Sequence, residues 1–255
     1  MKVVIFAGGL GTRLSEETNL LPKPMIEING RPILWHIMQS YSAFGYSEFV
    51  ILLGYKSYLI KEYFAHYCLH NSDVEIDCSS NSIRYLSPSN DPWKITLLDT
   101  GVSSLTGTRL LMAKKYLNST FMLTYGDGLS DLDMVDQLRF HRSHGGLCTF
   151  ASVQPAGRFG TFVNHPDSTL VKSFTEKPAG DGSWINGGFF ICEPAILDFI
   201  PSDINVAFED HPLQDLSLSS QLHSYRHTGF WKCMDTLRDK VELNRIALSN
   251  PVWLH

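Results

Sequence analysis

The stretch KVVIFAGGLGTRLSEETNLLPKPM, residues 2–25, predicts the fold class of the chain. Residues 3–6 form an apolar run that is too short for a helix and rich in β-branched side chains, which is typical of a buried parallel strand. The run ends at Gly8, Gly9 and Gly11, where glycines allow a sharp turn and a close approach of backbone N–H groups to a bound group. Such a loop is suited to cradling phosphate.

Two cations accompany this glycine loop. Thr12 adds a hydroxyl donor, and Arg13 adds a fork of donors that matches phosphate oxygens. Lys23 stands between Pro22 and Pro24, which excludes a helix interior there. A P-loop and a dinucleotide fingerprint both require other residues at fixed spacings, and neither pattern fits. A structural turn is the alternative for the glycines alone, but with Arg13 and Lys23 present we expect both cations to contact one polyphosphate.

Composition narrows the class of protein. The chain has 255 residues, of which 44% are hydrophobic and 18% charged, as in globular domains. The net charge of −5 argues against nucleic acid as a polymeric partner, since that needs a cationic face. The five cysteines are widely spaced and odd in number, which favours reduced cytosolic thiols. No apolar run approaches the roughly 18 residues of a membrane span. We therefore predict a cytoplasmic protein with no membrane partner.

Apolar runs and helical patterns alternate along the chain. Residues 33–41 and 58–70 have helical spacing, and strands are expected at 49–53 and 121–124. This alternation predicts an α/β fold with a Rossmann-like, doubly wound, mostly parallel sheet, whose ligands bind at the carboxyl ends of the strands. The segment 72–92 is expected to be an irregular surface excursion, either a lid or an interface hairpin.

The predicted organisation is a single domain, residues 1–255. Residues 1–148 form the mainly nucleotide-binding half. Residues 149–240 form the mainly sugar-phosphate-binding half, an inserted β region, and residues 241–255 form a C-terminal helix and tail.

Carboxylates follow two of the predicted strands. Asp127 stands between glycines at a strand end, where Mg²⁺ could be held beside a triphosphate. Asp131 and Asp133 lack the spacing of a calcium loop and are expected to cap the next helix. Asp235 could be a helix N-cap, a second ligand of the same ion, or both. His66 and His70 share a helix face, but exposed helix polarity is the favoured interpretation.

Polar residues gather at two further places. Ser104, Thr106 and Gly107 precede an apolar helix, and Arg109 could donate to a base or a phosphate, with an exposed helix arginine as the alternative. In the second half, Glu176 could accept from sugar hydroxyls and Lys177 could pair with a phosphate monoester, although an exposed ion pair is the alternative. Asn186 can both donate and accept.

The motifs together resemble those of the sugar-phosphate nucleotidylyltransferases over nearly the full length. The blocks that carry the resemblance are residues 7–18, 22–25, 32–38, 98–101, 125–128, 157–160, 176–178, 185–190, Trp231 and 234–240. Blocks 98–101, 125–128 and 234–240 resemble the CTP-using branch that acts on glucose 1-phosphate. His211 departs from the pattern, which has an acidic residue before Pro-Leu.

The resemblance implies transfer of a cytidylyl group from CTP to a sugar 1-phosphate, α-D-glucose 1-phosphate, giving CDP-glucose and pyrophosphate. It implies Mg²⁺ as cofactor, a homo-oligomer, and a place in nucleotide-sugar synthesis for O-antigen or another surface polysaccharide. Two alternatives stay open: the same reaction with another triphosphate or sugar phosphate, and a catalytically silent nucleotide-sensing or assembly subunit.

The resemblance also implies a role for each site residue. The catalytic residues would be Arg13, Lys23, Asp127 and Lys177, and the metal ligands Asp127 and Asp235. The sugar phosphate would contact Tyr125, Gly160, Glu176, Lys177, Asn186 and Gly187. The nucleotide would contact Phe6, Ala7, Gly8, Gly9, Leu10, Gly11, Thr12, Arg13, Lys23, Ser104, Thr106, Gly107, Arg109 and Gly126.

Overall fold

The chain folds as alternating strands and helices in the computed structural model, which describes residues 1–87, 91–155, 157, 160–166, 168–176, 179 and 183–254, with the backbone alone at 13, 15 and 16. The strands are β1 (Lys2–Ala7), β2 (Glu27–Ile28), β3 (Arg31–Pro32), β4 (Glu48–Leu53), β5 (Asp73–Asp77), β6 (Ser82–Ser87), β7 (Lys94–Asp99), β8 (Phe121–Tyr125), β9 (Gly128–Ser130), β10 (Cys148–Val153), β11 (Thr161–Asn164), β12 (Val171–Thr175), β13 (Ile185–Cys192), β14 (Leu222–Arg226) and β15 (Trp231–Cys233). The α-helices are α1 (Ser15–Thr18), α2 (Ile33–Ser42), α3 (Ser57–Ala65), α4 (Tyr67–His70), α5 (Thr106–Met112), α6 (Met134–His144), α7 (His211–Leu218) and α8 (Leu237–Ser249).

A seven-stranded sheet forms the centre, in the order β14-β10-β13-β8-β1-β4-β7. Strand β1 pairs in parallel with β4 and β8, and the β4–β7 and β10–β14 pairs are parallel too. Strand β13 runs antiparallel to both of its neighbours. This mostly parallel α/β sheet confirms the predicted fold class. Because the chain moves from β1 to β4 on one side and later to β8 on the other, the crevice between β1 and β8 is the switch point where such sheets bind ligands.

Strand β1 is buried on both faces, as its apolar run predicts. Val3 and Ile5 pack into one hydrophobic core, and Val4 and Phe6 pack into the other. Both halves of the chain contribute strands to the central sheet, while the predicted boundary near residue 148 stays a prediction.

Arg109 ties together the loops at the carboxyl edge of the sheet. The residue is only 3% exposed, so the expected alternative of an exposed helix arginine is wrong. One guanidinium nitrogen donates to the carbonyl oxygens of Leu53 and Gly101 and to the Thr100 hydroxyl, at 2.6–2.9 Å. The other donates to the carbonyl oxygen of Gly8 at 3.1 Å. The guanidinium therefore joins the ends of β1, β4 and β7.

Glycine is required where this guanidinium passes. A Cβ atom added at Gly8 would lie 2.2 Å from Arg109 Nη1, and one added at Gly54 would lie 2.6 Å from the same atom. The first glycine of the loop thus makes room for an internal arginine, which is a structural reason for a residue that the sequence assigned to phosphate.

Two hairpins stand apart from the central sheet. Strands β5 and β6 pair within the segment 72–92, so the segment contains a hairpin, which was one of the two predicted alternatives, and is partly regular rather than irregular. Strands β11 and β12 form the other hairpin. Both hairpins place most of their residues in solvent.

The helix predicted over 58–70 is interrupted at His66, whose φ of −102° and ψ of 7° separate α3 from α4. Within the described residues, no helix combines the length and apolarity needed to cross a lipid bilayer.

Replacing Arg109 by Met should lower the free energy of unfolding by about 3 kcal/mol or more, because several buried acceptors lose their donor together. Urea denaturation followed by tryptophan fluorescence measures the change. Arg139 is the matched control, since its side chain is 74% exposed and pairs with Asp136 within α6. Arg139→Met should change stability by no more than about 0.5 kcal/mol. An equal loss in the two variants would contradict the assigned role of Arg109.

Candidate functional site

Lys23 joins two aspartates that are far apart in the sequence. Its Nζ atom lies 2.6 Å from Oδ2 of Asp127 and 2.6 Å from Oδ1 of Asp235. The lysine side chain is 14% exposed and each aspartate side chain is 27% exposed. Hydrogen bonds between charged partners of this length are among the strongest in proteins. The structure therefore brings three of the predicted site residues to one point at the β1–β8 crevice.

A short ladder outside the central sheet explains this convergence. Asp127 directly precedes β9, and Asp235 stands two positions after the end of β15, with Met234 between them. The two strands pair antiparallel with Gly128 opposite Cys233, and the N–H of Met234 donates to the carbonyl oxygen of Asp127 at 2.8 Å. Each aspartate thus leaves its strand at the same end of the ladder.

Asp235 is not the N-cap of α8, so that predicted alternative is wrong. The cap is Thr236, whose hydroxyl accepts from the N–H of Asp239 while Oδ2 of Asp239 accepts from the N–H of Thr236. This capping box provides hydrogen-bond acceptors for two backbone N–H groups at the start of the helix. The Asp235 carboxylate is thereby left to contact Lys23.

The backbone of Lys23 is fixed by its neighbours. Pro22 has φ −65° and ψ 145°, and a short 3-10 helix then covers Lys23–Met25 with Pro24 and Met25 buried. Burial lowers the pKa of Lys23, but Asp127 and Asp235 outweigh burial and raise the pKa above its ordinary value. The side chain therefore remains an ammonium.

The glycine loop lies against the same lysine. Gly11 has a φ of +64°, the left-handed region that favours glycine, and a Cβ added there would lie 3.3 Å from Cβ of Lys23 and 2.7 Å from Cγ2 of Thr18. Gly9, Leu10 and Thr12 are exposed in this loop. Arg13 follows Thr12 in a 3-10 turn, but its side chain lies outside what the structure describes. The loop and the aspartate pair are thus adjacent.

The start of α5 is covered by a segment from the second half of the chain. The Thr106 hydroxyl donates to Oε2 of Glu209 at 2.5 Å and accepts from the N–H of Phe208 at 2.8 Å. A Cβ at Gly107 would lie 2.9 Å from the carbonyl oxygen of Val206. Ser104 donates to the carbonyl oxygen of Thr100. These residues meet the glycine loop through Arg109, and their contact with a nucleotide stays a prediction.

A pocket of about 210 Å³ opens beside the aspartate pair. Its lining includes three of the residues that were predicted to contact the sugar phosphate, namely Tyr125, Asn186 and Gly187. Oδ1 of Asn186 accepts from the N–H of Gly188 at 2.9 Å, which orients the amide. The indole N–H of Trp231 donates to the carbonyl oxygen of Gly187 at 2.8 Å, which holds one wall of the pocket.

Gly160 and Glu176, which were also predicted to contact the sugar phosphate, lie close to each other. A Cβ at Gly160 would lie 2.9 Å from Oε2 of Glu176, so these residues are in contact range. Lys177, which was predicted to bind the phosphate monoester, lies outside the described residues.

Glu209 was not identified from the sequence. Its Oε1 atom accepts from the Tyr125 hydroxyl at 2.6 Å, and its other oxygen accepts from Thr106. Burial and the charge of Glu209 raise the pKa of Tyr125 far above its ordinary value, so the phenol stays neutral. Glu209 therefore connects the pocket wall with the start of α5.

Cys233 also lines the pocket and was missed. Burial, reinforced by the charges of Asp235 and Asp127, raises the pKa of the Cys233 thiol to about 12. A thiol in this state is a poor nucleophile. The Cys233 thiol is therefore not suited to nucleophilic attack, whereas the contact of Lys23 with Asp127 and Asp235 is suited to charge neutralisation and positioning.

The aspartate pair has the donor chemistry that suits Mg²⁺. This ion is bound through one or two carboxylates and completes its shell with waters and phosphate oxygens. No cluster of three or more acidic, histidine or cysteine ligands occurs among the described residues. A pair of carboxylates beside a glycine loop fits an ion that arrives with phosphates.

Comparison with known proteins identifies the group to which the chain belongs. Residues 2–232 match the model of the family described as nucleotidyl transferase. The chain is 50% identical over 245 residues to glucose-1-phosphate cytidylyltransferase of Salmonella typhi, covering 95% of this chain and 94% of that protein. It is 30% identical to mannose-1-phosphate guanyltransferase of Schizosaccharomyces pombe, covering 98% of this chain and 65% of that protein.

Solved structures support the fold at lower identity. UDP-glucose pyrophosphorylase in complex with UDP-glucose superposes with a TM-score of 0.67 at 16% identity, covering 97% of this chain and 98% of that one. HddC from Yersinia pseudotuberculosis superposes with a TM-score of 0.65 at 23% identity, covering 96% and 98%. Given the family match over most of its length and the relative at 50% identity, the chain belongs to the nucleotidyl transferase family, among the glucose-1-phosphate cytidylyltransferases.

Proposed function

We propose that this enzyme transfers a cytidylyl group from CTP to α-D-glucose 1-phosphate, giving CDP-glucose and pyrophosphate. The observation that carries the proposal is the contact of Lys23 with both Asp127 and Asp235 beside the glycine loop. The choice of CTP and glucose 1-phosphate as substrates is supported by the relative at 50% identity, whose name states a cytidylyl transfer to glucose 1-phosphate. The product would enter nucleotide-sugar synthesis for O-antigen or another surface polysaccharide.

The glycine loop would hold the triphosphate. Gly8 to Thr12 would contribute backbone N–H groups and a hydroxyl, and Arg13 would contribute its fork of donors. Lys23 lies next to this loop and would neutralise phosphate charge. The sugar phosphate would enter the pocket between Tyr125 and Asn186, with Glu176 near the sugar hydroxyls and Lys177 on its phosphate.

Asp127 and Asp235 would hold Mg²⁺ when the nucleotide binds. Bound there, the ion would supply charge neutralisation and orientation at the reacting phosphates. A phosphate oxygen of the sugar then attacks the α-phosphorus in line, and the bond from that phosphorus to the bridging oxygen of pyrophosphate breaks. Lys23 and Lys177 would offset the repulsion between two anionic reactants, so no covalent intermediate on the protein is needed.

Base selection would lie in the loop near Arg109, which that buried side chain holds in place. The relative from Schizosaccharomyces pombe is named for a guanylyl transfer, which indicates that related chains handle different bases. Cytosine presents an amine where uracil presents a carbonyl, and buried polar groups that pair with one leave the other unpaired.

We also propose a homo-oligomer in the cytoplasm. The five cysteines, all within the described part of the chain, are free thiols of the kind that a reducing compartment maintains. Ile76 and Ile83 face each other across the β5–β6 hairpin and are 58% and 49% exposed. A two-stranded hairpin has only marginal stability on its own, which favours burial of this face against a second copy.

Analytical ultracentrifugation at micromolar concentration should detect the oligomer, and a monomer would contradict it.

Pyrophosphate release should be fastest with CTP and glucose 1-phosphate in a grid of triphosphates and sugar 1-phosphates. The grid contains CTP, UTP, dTTP and GTP against glucose, mannose and galactose 1-phosphates. A preference for another pair would replace the proposed substrates but retain the reaction. Tight CTP binding without release from any pair would favour a nucleotide-sensing subunit.

Replacing Asp127 by Asn should reduce kcat a hundredfold or more, as loss of a group that stabilises charge in the transition state does. Steady-state pyrophosphate assays measure the effect. Asp136→Asn is the control, because Asp136 lies on the exposed face of α6 and pairs with Arg139. Unchanged kcat in a folded Asp127→Asn variant would remove this residue from the proposed metal site.

A further inference from the structure

We propose that the Lys23 ammonium is the resident counter-ion of the Asp127–Asp235 pair, and that a divalent cation binds there tightly only after a triphosphate has drawn the ammonium away. The inference rests on the proposed function, because it takes the same aspartates as the metal ligands. It adds a coupling between metal and nucleotide that the reaction itself does not require.

The ammonium and a divalent cation would compete for one place. Nζ of Lys23 is 2.6 Å from one oxygen of each aspartate. Mg²⁺ bound to the same two oxygens would lie at about 2.0–2.1 Å from each, so the two positions overlap. One of the cations has to leave before the other binds.

Other lysines near the pair already have acidic partners. Nζ of Lys232 lies 2.7 Å from Glu242 and 3.2 Å from Asp239, and Nζ of Lys240 lies 2.6 Å from Glu17. Either lysine would have to break its own ion pair to replace Lys23. Lys23 is thus the described lysine whose ammonium contacts both aspartates.

The side chain of Lys23 is long enough to reach a triphosphate bound on the glycine loop. Its Cβ atom would be 3.3 Å from a Cβ at Gly11, so its stem runs beside the glycine loop. The prolines on each side hold its backbone, whereas the four-carbon stem is flexible. A triphosphate on the loop could therefore take the ammonium by a side-chain movement alone.

Binding of the triphosphate and binding of the divalent cation are therefore coupled to each other. A triphosphate that takes the ammonium leaves two carboxylates without it and so favours entry of a divalent cation. A cation that enters first has to displace the ammonium without a new partner for it. By thermodynamic reciprocity, each ligand then tightens the binding of the other by the same factor.

Mn²⁺ is the probe that tests this without any nucleotide, since the electron paramagnetic resonance signal of free Mn²⁺ reports binding directly. Lys23→Gln should bind Mn²⁺ at least tenfold more tightly than the wild-type protein. The gain should disappear in the Lys23→Gln, Asp127→Asn double variant. Lys240→Gln, which removes the same charge from the start of the neighbouring helix, should change Mn²⁺ affinity less than twofold.

Equal or weaker Mn²⁺ binding by Lys23→Gln would overturn the inference, as would an equal gain in Lys240→Gln. If Lys23→Gln is too unstable to isolate without metal, it can be purified with Mn²⁺ and its melting temperature compared with that of wild type. Mn²⁺ should then raise the melting temperature of the variant by several degrees and leave that of wild type unchanged. A similar response in both proteins would again overturn it.

This experiment separates the inference from the proposed function. Wild-type enzyme that makes CDP-glucose while Lys23→Gln gains no Mn²⁺ affinity would refute the coupling alone. Wild-type enzyme that releases no pyrophosphate, while Lys23→Gln shows the expected gain, would refute the proposed reaction alone.

Discussion

The contact of one ammonium with two carboxylates is the interaction on which the site depends. Lys23, Asp127 and Asp235 come from three separate segments, and each reaches the contact for a different structural reason. Prolines fix the backbone of Lys23, a switch point of the parallel sheet positions Asp127, and a short antiparallel ladder brings Asp235 beside it. Loss of any one of these supports would separate opposite charges that are partly removed from solvent, at an energetic cost.

A second internal cation gives the same edge of the sheet its shape. Arg109 uses its guanidinium on backbone carbonyls from the ends of three neighbouring strands, and two glycines provide the space. The two cations thus have distinct tasks. Arg109 holds loops in place, whereas Lys23 neutralises side chains that would otherwise repel one another.

Much of the fold was predictable because it follows from local rules. A short β-branched run before glycines predicted β1, and parallel strands have their carboxyl ends at one edge, which brought the glycine loop and Asp127 together in the prediction. Contacts between distant segments were less accessible. The sequence allowed Asp235 to be an N-cap, a metal ligand or both. The N-cap role is excluded by the folded structure, in which β9 pairs with β15 and Thr236 caps the helix. Glu209 had no local signal, because its partners Tyr125 and Thr106 meet it only in the folded chain.

Asp127 and Asp235 are proposed to share one divalent cation with a bound triphosphate. Crystals grown with Mn²⁺ and a non-hydrolysable CTP analogue, measured at the manganese absorption edge, test it most directly. An anomalous peak should then lie within about 2.2 Å of an oxygen from each aspartate, with Nζ of Lys23 moved onto a phosphate oxygen. A peak bound to phosphates alone, with Lys23 still between the two carboxylates, would contradict it.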